Sequence, residues 1–341
     1  MNKLEINIAQ FGAGYWGPNL IRNFIQSDGV NEFTVCDLNP DRLNKMKQIY
    51  PDIKVTQSPD HILNNPQVDA VIVAIPAALH YDIAKKALLA KKHVLVEKPL
   101  AMTAPQAKEL ADLSEKTGKV LMVGHTFLYN DAVRKAKDYI KNGELGEIYY
   151  IHSQRLNLGR VREDINVMWN LAPHDISIIL YWMEETPSSV CAKGLTFLQD
   201  DIEDVVFLDL KFPSGCAAHI HVSWLAPRKT REIIVVGSKK MLIYDDVSSE
   251  SKIMIYDKGI DKKRIIRHLP DIDSFGQFQM MRRSGDIFIP KINFREPLRM
   301  ECQHFIDCIR NGTTPMTDGR NGLDVVSILD SAQQHLDKLE K

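Results

Sequence analysis

The stretch Phe11-Gly12-Ala13-Gly14-Tyr15-Trp16-Gly17 decides the fold of this chain. It follows the apolar run Ile6, Ile8 and Ala9 and opens a helix-like segment over 16–27. Gly12, Gly14 and Gly17 therefore form G-x-G-x-x-G between a strand and a helix. Gly12 allows the tight turn, Gly14 lets the backbone approach a pyrophosphate, and Gly17 lets the new helix pack on its strand. The free N–H groups at the start of that helix then face the phosphates. Tyr15 and Trp16 belong to the same cofactor-facing loop. A second strand-like run, Phe33-Thr34-Val35-Cys36-Asp37, ends in an acid 20 residues beyond Gly17. At that spacing a carboxylate accepts hydrogen bonds from an adenosine ribose and repels a 2′-phosphate. Leu38 and Asn39 bring no cation next to Asp37, and Arg42 reads most simply as a surface residue, so the pattern favours NAD over NADP. Gln10 interrupts the first strand with a polar side chain that the strand reading leaves unexplained.

Working outward, short apolar strands at 4–11, 33–37, 53–56, 69–75, 92–96 and 120–123 alternate with helical patterns at 16–27, 40–49, 78–91 and 103–117. Strands joined by helix-length connections are parallel βαβ units, so 1–123 reads as an α/β, doubly wound dinucleotide-binding domain of Rossmann type. After 124 the texture changes. A helical pattern (128–142), a long strand (147–156) and a second helix (170–184) precede strands at 189–198, 203–212, 216–224, 231–237, 240–245 and 252–257. In His219-Ile220-His221-Val222-Ser223-Trp224 the apolar residues alternate with polar ones, the period of an antiparallel sheet with one covered face. Residues 124–341 thus read as an α+β domain with a largely antiparallel open sheet. Of the closing helices at 298–311 and 320–338, the second can pack back on the first domain.

A chain of 341 residues exceeds what one core usually organises, which agrees with two domains. Its 43 basic and 44 acidic residues nearly cancel, leaving no electrostatic footprint for nucleic acid. The short cluster Lys262-Lys263-Arg264 reads as a solvated loop. No apolar run approaches the roughly 18 residues that span a bilayer. The first strand begins at once, leaving no room for a signal peptide. Cys36, Cys191, Cys216, Cys302 and Cys308 are scattered and include no C-x-x-C pair, which points to reduced thiols in a cytoplasm and to no metal site. His219 and His221 share one side of a strand, where a polar sheet face is the simpler reading than a metal ligand set.

Ligands of a doubly wound sheet bind at the carboxyl ends of its strands. Two loops there, Ile75-Pro76-Ala77-Ala78-Leu79-His80 and Val96-Glu97-Lys98-Pro99-Leu100, make Pro76, His80, Glu97 and Lys98 candidates for cofactor contact. Pro99 restricts Lys98 to extended geometry, which can hold its side chain toward a cofactor. Spacing alone, however, favours an ordinary surface lysine. In Met168-Trp169-Asn170-Leu171-Ala172-Pro173-His174, Pro173 is expected in the first turn of a helix, with His174 near its N-terminal end. A helix N-terminus disfavours imidazolium and leaves a neutral general base. A histidine that merely caps or packs at a helix start fits the same spacing.

Together, the glycine pattern, the Glu97-Lys98-Pro99 tripeptide and His174 resemble the Gfo/Idh/MocA oxidoreductases, which include glucose–fructose oxidoreductase, inositol dehydrogenase and several nucleotide-sugar dehydrogenases and ketoreductases. The resemblance covers essentially the whole chain, including Val123-Gly124-His125 and the stretch 319–329. It implies a nicotinamide cofactor on the N-terminal domain and a sugar or nucleotide-sugar substrate in the cleft against the C-terminal sheet. Glu97 would look toward the nicotinamide ribose and Lys98 toward the reacting oxygen, while His174 matches the histidine of the family's D-x-x-x-H pattern. The aspartate of that pattern falls on Asn170, which can hold a sugar hydroxyl but cannot take its proton. Asp175 would face about 100° away from His174 on a helix and is no obvious replacement. The resemblance also brings Tyr129, Asn130, Arg155, Asn157 and Arg162 near the substrate, and the two arginines are compatible with a nucleotide-sugar diphosphate. Members commonly pair through the sheet into dimers or tetramers, so the resemblance implies that 124–341 binds the substrate and supports oligomerisation. The reverse reaction, reduction of a keto-sugar, and a non-catalytic, cofactor-sensing role both stay open, the latter because of Asn170.

Overall fold

The computed structural model describes residues 5–260 and 282–339, so the Lys262-Lys263-Arg264 cluster lies outside the described residues. The chain forms two compact units, one running to Tyr129 and resuming over Arg295–Asp330, the other comprising Asn130–Phe294 and resuming at Ser331. The division falls after Tyr129 rather than after 123. Two interactions hold the 123–129 segment in the first unit: the Val123 N–H donates to the Thr317 carbonyl at 2.7 Å, and the Tyr129 hydroxyl lies 3.3 Å from Thr317 Oγ1.

In the first unit, β1 (Ile6–Phe11), α1 (Gly17–Ile25), β2 (Val30–Cys36), α2 (Pro40–Ile49), β3 (Lys54–Thr56), α3 (Pro59–Leu63) and β4 (Ala70–Val73) follow one another. They are continued by α4 (His80–Leu89), β5 (His93–Val96), α5 (Ala104–Thr117) and β6 (Leu121–Val123). All strands are parallel, in the order β3-β2-β1-β4-β5-β6. The helices start by a repeated device. Asn39, Ser58 and Thr103 each accept a first-turn N–H, and each is followed by proline at the first or second helical position. β4 and β5 are almost wholly buried, as strands covered on both faces must be.

The second unit opens with α6 (Asp131–Lys141), β7 (Ile148–Leu156) and α7 (Val167–Met183). Strands β8 (Ser189–Leu195), β9 (Val205–Lys211), β10 (Ala217–Ser223), β11 (Thr230–Gly237), β12 (Met241–Asp245), β13 (Ile253–Ile260) and β14 (Arg282–Phe288) follow. The sheet order is β14-β13-β12-β11-β7-β10-β9-β8. Every neighbouring pair is antiparallel except β7 with β10, which is parallel. That exception has a topological cause: the crossover helix α7 feeds the β8-β9-β10 meander, whose last strand comes to lie beside β7. Ile220, Val222 and Trp224 are fully buried on the side where α7 packs. On the opposite side the His219 ring stacks on His152 at 5.5 Å and His221 on Phe207 at 4.4 Å. The chain returns to the first unit through α8 (Pro297–Asn311), where Phe305 meets Phe24 edge-on at 6.2 Å, and then enters α9 (Gly319–Leu339).

A buried ion pair fastens α7 to its sheet. Arg155 of β7 donates Nε to Asp175 Oδ2 at 2.5 Å, and the Ser153 hydroxyl donates to Asp175 Oδ1 at 2.8 Å. Arg155 is 4% exposed and Asp175 is fully buried. Removing one partner strands the other charge inside, so Asp175→Ala should destabilise the protein by about 3–5 kcal/mol. Chemical denaturation checks this; an unshifted midpoint would contradict the role given to the pair.

Candidate functional site

The loop between β1 and α1 is set by close backbone contacts. Gly12 has φ +97°, and a Cβ there would come within 2.2 Å of the Ala74 carbonyl oxygen. A Cβ on Gly17 would meet the Gly12 carbonyl oxygen at 2.5 Å. Around Gly14, by contrast, the nearest atom to such a Cβ is Arg42 Nη1 at 3.9 Å, leaving that backbone approachable. Gln10 now has its explanation. Its buried Nε2 donates to the carbonyls of Gly12 at 2.8 Å and Gly17 at 3.0 Å, stapling the two ends of the turn.

The same loop is tied to the end of β2. The Gly12 N–H donates to the Cys36 carbonyl, and the Ala13 N–H donates to Asp37 Oδ2, both at 2.8 Å. Asp37 Oδ1 accepts the Asn39 N–H at 2.9 Å. Arg42, read from the sequence as a plain surface residue, lies with Nη1 3.5 Å from Asp37 Oδ2. It lines a cavity of about 330 Å³ together with Ala13, Gly14, Tyr15 and Lys45. Tyr15 itself is 85% exposed. An approachable backbone at Gly14 and a carboxylate at the β2 end fit an NAD molecule. The strand order β2-β1-β4-β5 gives it a path from Asp37 past the glycine loop to Pro76 and Glu97.

At the far end of that path, Pro76 is exposed. Trp16 reaches across from the glycine loop and donates Nε1–H to Glu97 Oε1 at 2.7 Å. Burial pushes the Glu97 carboxyl up to about 7, partly opposed by the Lys98 charge and the Trp16 hydrogen bond. Lys98 is half-buried beside it, and the Lys98–Pro99 peptide is cis. His80 departs from its expected role. It is 1% exposed, with Nδ1 2.7 Å from the Pro99 carbonyl and Nε2 2.9 Å from the Ile75 carbonyl. It ties the two strand-end loops together and is too buried for the cofactor contact expected of it.

In the second unit, Asn170 and His174 lie one turn apart on α7, both half-buried. The helix does not begin at Pro173. Asn166 caps it, accepting the Trp169 N–H at 3.1 Å, and Pro173 sits inside. His174 is the eighth residue of Val167–Met183, beyond the first turn, so the helix-terminus argument for a neutral imidazole does not hold. Three residues expected at the substrate are interior parts instead. Tyr129 is 2% exposed beside Thr317, Asn130 caps α6 by accepting the Ala132 N–H at 2.9 Å, and Arg155 is engaged by Asp175. Arg162 is partly exposed and pairs with Asp164 through Nε and Nη2 at 2.8 and 2.6 Å. Asn157 stands half-buried just after β7. Among the described residues no group of three or more His, Cys, Asp or Glu side chains could hold a metal ion. No helix among them is long and apolar enough to cross a membrane.

Comparison with known proteins agrees with this architecture. Residues 6–125 match the family model described as an oxidoreductase family with an NAD-binding Rossmann fold, and residues 133–243 match the Gfo/Idh/MocA C-terminal domain. A myo-inositol 2-dehydrogenase from Thermotoga maritima is 23% identical over 327 residues, covering 93% of this chain and 92% of that protein. An NAD-dependent scyllo-inositol 2-dehydrogenase from Bacillus subtilis is 24% identical over 324 residues, covering 92% and 88%. In fold, the structure of a UDP-N-acetylglucosamine 3-dehydrogenase from Acidithiobacillus ferrooxidans superposes with a TM-score of 0.80 at 20% identity, covering 98% of each chain.

Two substitutions test the cofactor half of the site. Asp37→Ala should weaken NAD and narrow its preference over NADP; equal or tighter binding of NADPH to the unaltered protein would contradict the role of Asp37. Gln10→Leu removes two hydrogen bonds of about 1 kcal/mol each from the turn and should weaken NAD roughly tenfold or more. Fluorescence titration reads both, and undiminished affinity in Gln10→Leu would show that the staple is dispensable.

Proposed function

The chain belongs to the Gfo/Idh/MocA oxidoreductases, and on that premise we propose that it is an NAD-dependent dehydrogenase acting on a secondary alcohol of a sugar or polyol. The observation that carries the reading is the Trp16–Glu97 hydrogen bond. It joins the phosphate loop to the Glu97-Lys98-Pro99 motif on one strand-end surface. When bound, NAD supplies the hydride acceptor. Protonated Lys98 stabilises the negative charge that develops on the substrate oxygen, and His174 takes the hydroxyl proton. Asn170, whose amide cannot act as a base, holds a hydroxyl. In the reverse direction the same residues reduce a keto-sugar. A nucleotide sugar is the finer substrate reading, with Arg162 as its remaining arginine candidate, since Arg155 is engaged by Asp175 in the interior.

Lys98→Ala and His174→Ala should each lower single-turnover hydride transfer by roughly a hundredfold or more while NAD still binds. Asn170→Ala should act mainly on KM, since an amide contributes alike before and during transfer. Screening polyols, sugars and nucleotide sugars for NADH formation identifies the substrate. Near-normal rates in both Lys98→Ala and His174→Ala would favour the non-catalytic reading.

The same reading includes self-association through the sheet face that carries His152, His219, His221 and Phe207, opposite the face covered by α7. Tyr150, 49% exposed, extends that face. Light scattering at micromolar concentration should give a dimer or tetramer; a monomer would contradict it.

A further inference from the structure

A second acid lies behind Glu97. Glu301 of α8 is fully buried and accepts a hydrogen bond from Thr126 Oγ1 on its Oε2 at 2.7 Å. Its Oε1 is buried with no hydrogen-bond partner among the described residues. The segment Gly124-His125-Thr126 separates the two carboxyls. Glu97 packs so closely on Gly124 that a Cβ there would touch its carboxyl group at 3.1 Å, while Glu301 hangs on Thr126.

Among the described residues, the positive charge set against Glu97 is that of Lys98. The Trp16 indole that reaches Glu97 from the glycine loop is neutral. His125 is buried, bonds Asn321 through Nδ1 at 2.8 Å and is pushed down to about 4 by burial, so it is neutral. On α8, burial and the nearby acids push the Cys302 thiol up, and Glu296 at its start is already paired with Arg22. Two carboxylates in such surroundings do not ionise together near neutral pH. Burial, with the Glu97 charge next in size, holds Glu301 well above the ordinary carboxyl range, so Glu301 is the neutral member and Glu97 the one that titrates.

We propose that binding of oxidised NAD, but not of NADH, is linked to release of one proton from Glu97, and that Glu301 serves as the neutral positioning acid behind it. This rests on the NAD reading above. The path set by the strand order brings the nicotinamide end of the dinucleotide to the carboxyl end of β5, where Glu97 lies. The oxidised ring is a cation and stabilises the carboxylate; the reduced ring is neutral and does not. The proton leaves to solvent, and no bond other than that O–H is broken. The sign follows from the charge: affinity for NAD rises with pH up to about 7, by at most tenfold per unit, and then levels off.

The test is titration calorimetry of the whole protein with NAD and with NADH at pH 6.5, in buffers of different ionisation enthalpy, together with Kd measured from pH 5.5 to 8.5. NAD should release a large fraction of a proton and NADH almost none, and the NAD curve should bend near 7. Glu97→Gln should abolish the linkage. Glu301→Gln, the shape of the neutral acid, should leave the midpoint unchanged, whereas a shift of a unit or more to lower pH would show Glu301 ionised and overturn its assignment. NAD binding with no proton release, or equal release with NADH, overturns the linkage alone. Absence of NAD binding at every pH overturns the cofactor reading and the linkage with it.

Discussion

The turn at the carboxyl end of β1 is the constraint on which the rest of the first unit depends. With the Ala74 carbonyl 2.2 Å from where a Gly12 side chain would begin, the chain passes between β1 and β4 only as glycine. That passage brings the α1 N-terminus to the carboxyl ends of the strands, sets the Ala13 N–H on Asp37 and carries Trp16 to Glu97. Three strand ends are thereby coupled through one loop. Gln10 fixes the loop from beneath, so a polar side chain in an apolar strand contributes more to the site than to the core.

In the second unit the comparable constraint is the Arg155–Asp175 pair. It costs desolvation of two charges, which its bidentate geometry and the Ser153 hydroxyl offset, and it fixes α7 against the sheet at one rotation. Asn170 and His174 take their place on α7 from that docking. Arg155, expected at the substrate, is engaged by Asp175 and acts one step removed, by orienting the helix that carries the candidate base.

What was legible in the sequence was local. The tight glycine turn, the βαβ alternation and the Ile220, Val222, Trp224 stripe each depend on neighbours a few residues away, and the structure forms each of them. What was not legible depends on partners far along the chain. Asn130, Arg155 and Tyr129 are polar side chains whose partners, Tyr244, Asp175 and Thr317, arrive only with the tertiary fold. His80 looked like a ligand for the same reason. Pro173 misled as a start signal because the helix is held by burial of most of its side chains and by the docking of Asp175, which together with the Asn166 cap offset the cost of an interior proline. The parallel β7–β10 pair was hidden because alternation reports a covered face, not strand direction. Glu301 had no signal beyond being an acid in an otherwise amphipathic helix.

The central claim is that one strand-end path, from Asp37 across Gly14 to Glu97 and Lys98, holds the cofactor. A crystal structure of the NAD complex tests it most directly. The account predicts the adenosine ribose on Asp37, the pyrophosphate on the Gly14 backbone and the nicotinamide at Glu97 and Lys98. A dinucleotide bound in the reverse direction, or away from this edge, would contradict it.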